Sequence, residues 1–330
     1  MQRVGIIGAG AWGTALAQML RRAGRDVAIW AREPEVADAI NRDHVNPLFL
    51  PGIALDPGIR ASRDLGSVVR DAEIVLLAVP AQYLRATCRE LASLTVPLVL
   101  CAKGIETGTG ALMSEIASET VPGAPLALLS GPSFAAEVAR GLPTAVTLAT
   151  QDKALGPKLA ASLGSRAFRP YLSNDVIGAE IGGAIKNVLA IACGIVEGRR
   201  LGDNARAALI TRGLAEMTRL AIAKGGRAET LMGLSGLGDL ALTCTATQSR
   251  NYSLGVALGD GQPLADILAS RRSVAEGVES AAAASALASR LRVEMPIVSA
   301  VDAILHRAAP IDDVVAALLS RPLRSETEPN

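Results

Sequence analysis

The stretch Arg3–Gly13, RVGIIGAGAWG, decides the fold. An apolar run ends at Gly8, and Gly8, Gly10 and Gly13 then form a GxGxxG pattern. Thr14 to Ala23 reads as a helix, Gly24 breaks it, and DVAIW, Asp26–Trp30, reads as a second strand. A glycine pattern alone is weak, but inside a strand–turn–helix–strand unit of about 30 residues it is a dinucleotide-binding signature. Gly8 permits the tight turn, Gly10 lets backbone approach a pyrophosphate, and Gly13 lets helix pack on strand. The N–H groups that open the helix then face the phosphates.

Working outward, Glu73–Val79 and Val96–Ala102 are near-continuous apolar runs, which suit a parallel sheet covered on both faces. Pro125–Leu129, Thr144–Ala149 and Arg166–Tyr171 are further strands, and the strand signals stop after Asp175. The expected fold is an α/β Rossmann-like domain with a mostly parallel, doubly wound sheet over residues 1–175, followed by an all-helical domain over 176–330. Ligands in such sheets bind beyond the carboxyl ends of the strands. Lys103 and the Gly131-Pro132-Ser133 turn lie at such ends, although a surface lysine and an ordinary capped helix start are the plainer readings. At the end of the second strand the first polar residue is Arg32, with Glu33 after it. Arg32 suits a ribose 2′-phosphate, so NADPH is expected to be accepted; a solvated arginine reads equally simply.

In the helical half, Glu180–Glu197 (EIGGAIKNVLAIACGIVE) carries one charge between its end glutamates, Lys186. Apolar residues surround the helix, so it is expected to be buried. Lys186 either snorkels to the surface or is held in an occluded site for chemistry. Leu234–Asn251 (LSGLGDLALTCTATQSRN) reads as a turn-rich polar segment. Its Ser249, Arg250 and Asn251 suit a phosphate, which accepts bidentate charged hydrogen bonds, and Asp239 suits a partner for Lys186. A surface loop with capping residues is the alternative.

Composition narrows the function. With 33 basic and 32 acidic residues, net charge +1, the chain lacks the one-sided basic surface a nucleic-acid partner needs. No run of about 18 uncharged apolar residues marks a membrane span, and no signal-peptide pattern precedes the first strand. The four cysteines, Cys88, Cys101, Cys193 and Cys244, are dispersed in apolar surroundings and read as reduced core residues of a cytoplasmic protein. The two histidines, His44 and His306, form no metal-ligand pattern with them, so no metal is expected.

With these pieces in place, the chain resembles the bacterial-type NAD(P)-dependent glycerol-3-phosphate dehydrogenases over essentially its whole length. The carrying stretches are GIIGAGAWGTALA, WAREPE, NPLFLPGI, LCAKGIE, LSGPSFAAEVA, GGAIKNVLAIACGIVEG, GLSGLGDLALTCTATQSRN and VAEGVES. The resemblance implies that Lys186 donates and accepts a proton at the substrate C2 oxygen. It implies that Lys103, Asn187, Asp239 and Thr243 surround the substrate. Ser249, Arg250 and Asn251, with Gly131 and Ser133, hold its phosphate. Gly8, Gly10, Ala11, Trp12, Gly13, Arg32, Phe49, Lys103, Ala135, Arg250, Val274 and Glu276 hold the dinucleotide, NADPH or NADH. Two positions depart from the family's pattern: Ala11 stands where a serine or threonine is frequent, and Phe49 where tyrosine is usual. Each loses a hydroxyl without touching the proposed chemistry. The implied second domain is of the 6-phosphogluconate-dehydrogenase type, and a homodimer is the assembly considered.

The expected reaction interconverts dihydroxyacetone phosphate and sn-glycerol 3-phosphate, the latter for glycerophospholipid synthesis. A β-hydroxyacid or 6-phosphogluconate-type dehydrogenase shares the architecture, but usually has methionine at the Trp12 position and lacks the SRN segment. A UDP-sugar dehydrogenase needs a nucleophilic cysteine. A non-catalytic nucleotide sensor has no use for both Lys103 and Lys186.

Overall fold

The computed structural model describes residues 1–270 and 275–322. It divides into two compact units, one of residues 1–103 and 111–180, the other of residues 104–110 and 181 onward.

The first unit holds ten strands: β1 (Arg3–Ile7), β2 (Asp26–Trp30), β3 (Val45–Asn46), β4 (Leu50–Ala54), β5 (Arg60–Ser62), β6 (Ile74–Leu77), β7 (Leu98–Leu100), β8 (Leu126–Ser130), β9 (Thr144–Ala149) and β10 (Phe168–Ser173). Eight of them form one sheet in the order β10-β9-β8-β7-β6-β1-β2-β5. All neighbours are parallel except β8 and β9, so the sheet is mostly parallel, as expected. β1, β6 and β7 are central, and their residues Ile6, Ile7, Leu76, Leu77, Val99 and Leu100 are fully buried. Helices on both sides give each face its own apolar core, which is why these strands read as unbroken apolar runs rather than alternating ones. β5 and the antiparallel β3–β4 hairpin were not expected. Pro47, Pro51 and Gly52 interrupt the hairpin and hide the strand pattern.

The second unit is helical. The long helix Val176–Gly198, which lies in this unit from Ile181 on, is five residues longer at the two ends together than the apolar stretch quoted above. Asp175 starts it by accepting a hydrogen bond from Gly178 N, an N-terminal cap. This helix is long and apolar enough to cross a membrane, yet 89 % of its apolar window is buried inside the protein. It packs against the helix Arg250–Gly259 through glycines. A Cβ on Gly194 would collide with Tyr252 O, and one on Gly255 with Ile191 O. The small residues therefore let the two backbones touch. The helices Asp203–Ala223, Glu276–Leu291, Pro296–His306 and Ile311–Leu319 make up much of the rest of the helical half expected from the sequence. The segment read as turn-rich is instead mostly helical: a five-residue π-helical turn at Leu234–Gly238, then the helix Asp239–Thr245. Its glycines serve close packing, since a Cβ on Gly236 would strike Leu231 backbone, and do not break the helix.

Candidate functional site

In the first unit the glycine turn has the shape a dinucleotide requires. Gly8 has φ +114, and a Cβ there would lie 2.8 Å from Ala78 O. A Cβ on Gly13 would collide with Gly8 O, whereas one on Gly10 would meet nothing within 4 Å. Two glycines are thus consumed by packing and the third opens onto space. The helix Ala11–Arg22 begins there with no side-chain cap, so its first N–H groups remain for a ligand. Trp12 Nε1 is a buried donor with no acceptor among the described residues. These features fit the diphosphate of NAD(P).

Asn46 anchors this turn and was not singled out from the sequence. Fully buried, it donates to Ala9 O and Thr14 Oγ1, each at 2.8 Å, and accepts from Phe49 N at 3.0 Å. It ties the dinucleotide turn to the hairpin carrying Phe49. The only signal in the sequence was its place in the NPLFLPGI stretch.

Arg32 is exposed and donates twice to Glu33 Oε1, at 3.0 and 2.7 Å. Its guanidinium lies 5.9 Å from the Tyr83 ring centroid. The Glu33 hydrogen bond and charge raise its pKa further. A 2′-phosphate would therefore have to compete with Glu33 for Arg32. At the carboxyl ends of β7 and β8, Lys103 Nζ and Ser133 Oγ both donate to Gly131 O at 3.0 Å. The three residues lie together, and the helix after them starts at Ala135, not at Gly131.

In the second unit Lys186 does not snorkel. It is 8 % exposed, and its ammonium donates to Asp239 Oδ1 at 2.6 Å and to Thr243 Oγ1 at 3.0 Å. Asp239 is 1 % exposed and is the first residue of the helix Asp239–Thr245, where a carboxylate also meets the positive end of the helix dipole. Thr243 Oγ1 donates to Asp239 O at 2.6 Å, so its lone pairs face the ammonium. Cys244 lies beside this pair. A hydrogen bond with Cys193, then burial, holds its thiol pKa well above the ordinary value. Burial raises Cys88 as well and pushes Cys101 up to about 12. Such thiols are poor nucleophiles, which argues against the UDP-sugar dehydrogenase alternative.

Ser249, Arg250 and Asn251 stand together at the start of one helix. Ser249 Oγ caps it, accepting from Tyr252 N at 3.2 Å. Arg250 is the exposed first residue. Asn251 turns inward: its Nδ2 donates to Asn187 Oδ1, and its Oδ1 accepts from Gly277 N, both at 3.0 Å. Glu276 opens the helix Glu276–Leu291, and Val274 lies outside the described residues. Among the described residues, no group of three or more His, Cys, Asp or Glu is placed to hold a metal ion.

Two family models match the chain: NAD-dependent glycerol-3-phosphate dehydrogenase N-terminus over residues 3–156 and the corresponding C-terminus over residues 175–316. A glycerol-3-phosphate dehydrogenase [NAD(P)+] of Rhodospirillum rubrum is 61 % identical over 99 % of this chain and 94 % of its own length. That of Caulobacter vibrioides is 58 % identical, covering 98 % and 99 %. The crystal structure of glycerol-3-phosphate dehydrogenase from Coxiella burnetii aligns with TM-score 0.93 at 39 % identity, covering 97 % of this chain and 99 % of that one.

Proposed function

The chain belongs to the NAD-dependent glycerol-3-phosphate dehydrogenase family, and from that premise we propose that it reversibly reduces dihydroxyacetone phosphate to sn-glycerol 3-phosphate with NADH or NADPH. The observation that carries the assignment is the buried ammonium of Lys186, fixed by Asp239 and Thr243. A buried cation held by two partners is an unusual feature to keep for stability alone, since desolvation offsets most of what the pair gains.

When bound, the dihydronicotinamide supplies the hydride. The residues of the chain handle what remains, the charge and the proton. Reduction gathers negative charge on the C2 oxygen, and Lys186 gives that oxygen a proton; in the oxidative direction Lys186 takes it back. Proton transfer from a positioned group is typically worth about 10²–10⁴ in rate. Asp239 and Thr243 hold the ammonium so that little reorganisation is needed during the reaction. Arg250 grips the substrate phosphate, supplying binding energy remote from the reacting carbon. Gly10, the N–H groups opening the helix Ala11–Arg22, and Trp12 hold the dinucleotide diphosphate, and Arg32 takes the adenosine ribose end. The product is the backbone from which glycerophospholipids are built, and we assign the enzyme that supply role in the cytoplasm.

The test is oxidation of NADH and of NADPH, run in parallel with dihydroxyacetone phosphate, by wild type and Lys186→Met. Turnover should fall by about 10²–10⁴ in the variant, with NADH affinity by fluorescence titration kept. Near-normal turnover would remove Lys186 from the chemistry.

A further inference from the structure

The buried amides of Asn187, the residue that follows Lys186 in its helix, and of Asn251 form a relay with a fixed polarity. A peptide N–H can only donate. The atom of Asn251 that lies 3.0 Å from Gly277 N is therefore Oδ1, which settles an amide orientation that heavy-atom positions leave open. The Asn251 NH2 must then face Asn187, so the atom it meets at 3.0 Å is Asn187 Oδ1. What Asn187 has left is its NH2. Asn187 as a whole keeps 5 % of its surface accessible.

We propose that the backbone N–H of Gly277, acting through Asn251, dictates that Asn187 presents hydrogen-bond donors rather than an acceptor next to Lys186, making Gly277 and Asn251 positioning residues for the reaction. This rests on the assignment of Lys186 as the proton donor. A donor is the group wanted there, because the substrate oxygen gains negative charge. Reversing Asn187 would set NH2 against NH2 in a buried place. The unmade hydrogen bond corresponds to a population ratio of about 5- to 150-fold in favour of the observed orientation.

The relay also explains why position 277 is glycine. Its φ is not in the left-handed region, so the constraint is space. A Cβ there would lie 2.7 Å from Asn187 O, 2.8 Å from Asn251 Oδ1 and 2.9 Å from Ile191 Cδ1. Gly277 is in the first turn of its helix, where N–H groups have no partner within the helix. One such N–H is thereby given a use at the site.

Asn251→Asp separates positioning from capping. Aspartate still accepts from Gly277 N but cannot donate to Asn187, so Asn187 must turn its NH2 inward. Unfolding midpoint and NADH affinity should stay near wild type, while kcat falls about ten- to a hundredfold, as for loss of one donor to a developing oxyanion. Unchanged kcat in the folded variant would overturn the proposal. Gly277→Ala keeps every side-chain charge and should lower kcat in the same direction; a folded, fully active Gly277→Ala would count equally against it. A measurement on the wild type needs no variant to be active. With 15N-asparagine labelling, the Asn187 NH2 signals, assigned by their loss in Asn187→Asp, should shift on adding sn-glycerol 3-phosphate and exchange with solvent faster than those of Asn251. The reverse order of exchange refutes the polarity. Full activity of Lys186→Met would instead sink the underlying assignment, whatever the relay does.

Discussion

Replacing one partner of the Lys186–Asp239 pair should destabilise the protein more than replacing both. Lys186 is 8 % exposed and Asp239 1 %, with 2.6 Å between Nζ and Oδ1. Asp239→Asn leaves the buried ammonium with Thr243 Oγ1 at 3.0 Å, a neutral partner. Lys186→Met leaves the carboxylate without its counter-charge. Breaking a buried pair from one side costs about 3–5 kcal/mol, whereas neutralising both sides of one is often close to neutral. The double variant Lys186→Met/Asp239→Asn should therefore lie well above the sum of the single losses, with a coupling energy of about 3 kcal/mol or more. Urea unfolding of all four proteins at pH 7, followed by far-ultraviolet circular dichroism, reads this cycle directly. Additivity of the two single effects within about 0.5 kcal/mol, the behaviour of independent sites, would refute the claim that the two charges stabilise each other. Turnover should follow a different order. Both proteins lacking Lys186 should be nearly inactive, while Asp239→Asn, which keeps the lysine, should lose less.

Other outcomes follow from buried groups elsewhere. Glu216 is 1 % exposed and accepts from Ile297 N at 2.8 Å and Val298 N at 3.1 Å; burial raises its pKa from 4.5 to about 7. Between those values the unfolded chain has released the proton that the folded chain still holds. Stability should therefore fall as pH rises through that window, by on the order of 3 kcal/mol, and level off above it. Urea midpoints at pH 5 and pH 8 should show a decline in wild type that Glu216→Gln removes; an identical decline in the variant would exclude Glu216 as its source. Asn46→Ala deletes its three hydrogen bonds beneath the dinucleotide turn and leaves Ala9 O with the longer 3.3 Å bond from Thr14 Oγ1, a loss of about 1–3 kcal/mol. NADH affinity should drop accordingly in a fluorescence titration, with kcat at saturating cofactor changed far less; unchanged NADH affinity would show that the turn holds its shape unaided.

The comparison of sequence and structure turns on a few residues. The strand β1, the GxGxxG turn and β2 were legible because backbone requirements there are local. A tight turn, a close approach and an apolar strand each demand particular residue types at fixed spacing. Lys186 was conspicuous because a lone charge in an apolar helix must have a partner. The helical nature of Leu234–Asn251 was not legible. Its glycines imitate turn signals, and their real use, letting backbones touch, exists only once the helices are packed. Asn46 was hidden for a related reason: an asparagine before a proline looks like loop chemistry, and two of its three hydrogen bonds go to Ala9 and Thr14, which the fold brings near.

By itself, then, the amino-acid order determined the Rossmann-like unit, the helical second half and the identity of the charged groups, since periodicity and turn chemistry act over a few residues. Tertiary structure alone decided what those groups do. It placed Asp239, 53 residues away in sequence, against Lys186, and fixed the polarity of Asn187 through a peptide N–H from a third helix. The physical reason is that hydrogen-bond direction and charge pairing depend on distance and burial. Those are set by how helices pack, and the linear spacing of residues does not encode them.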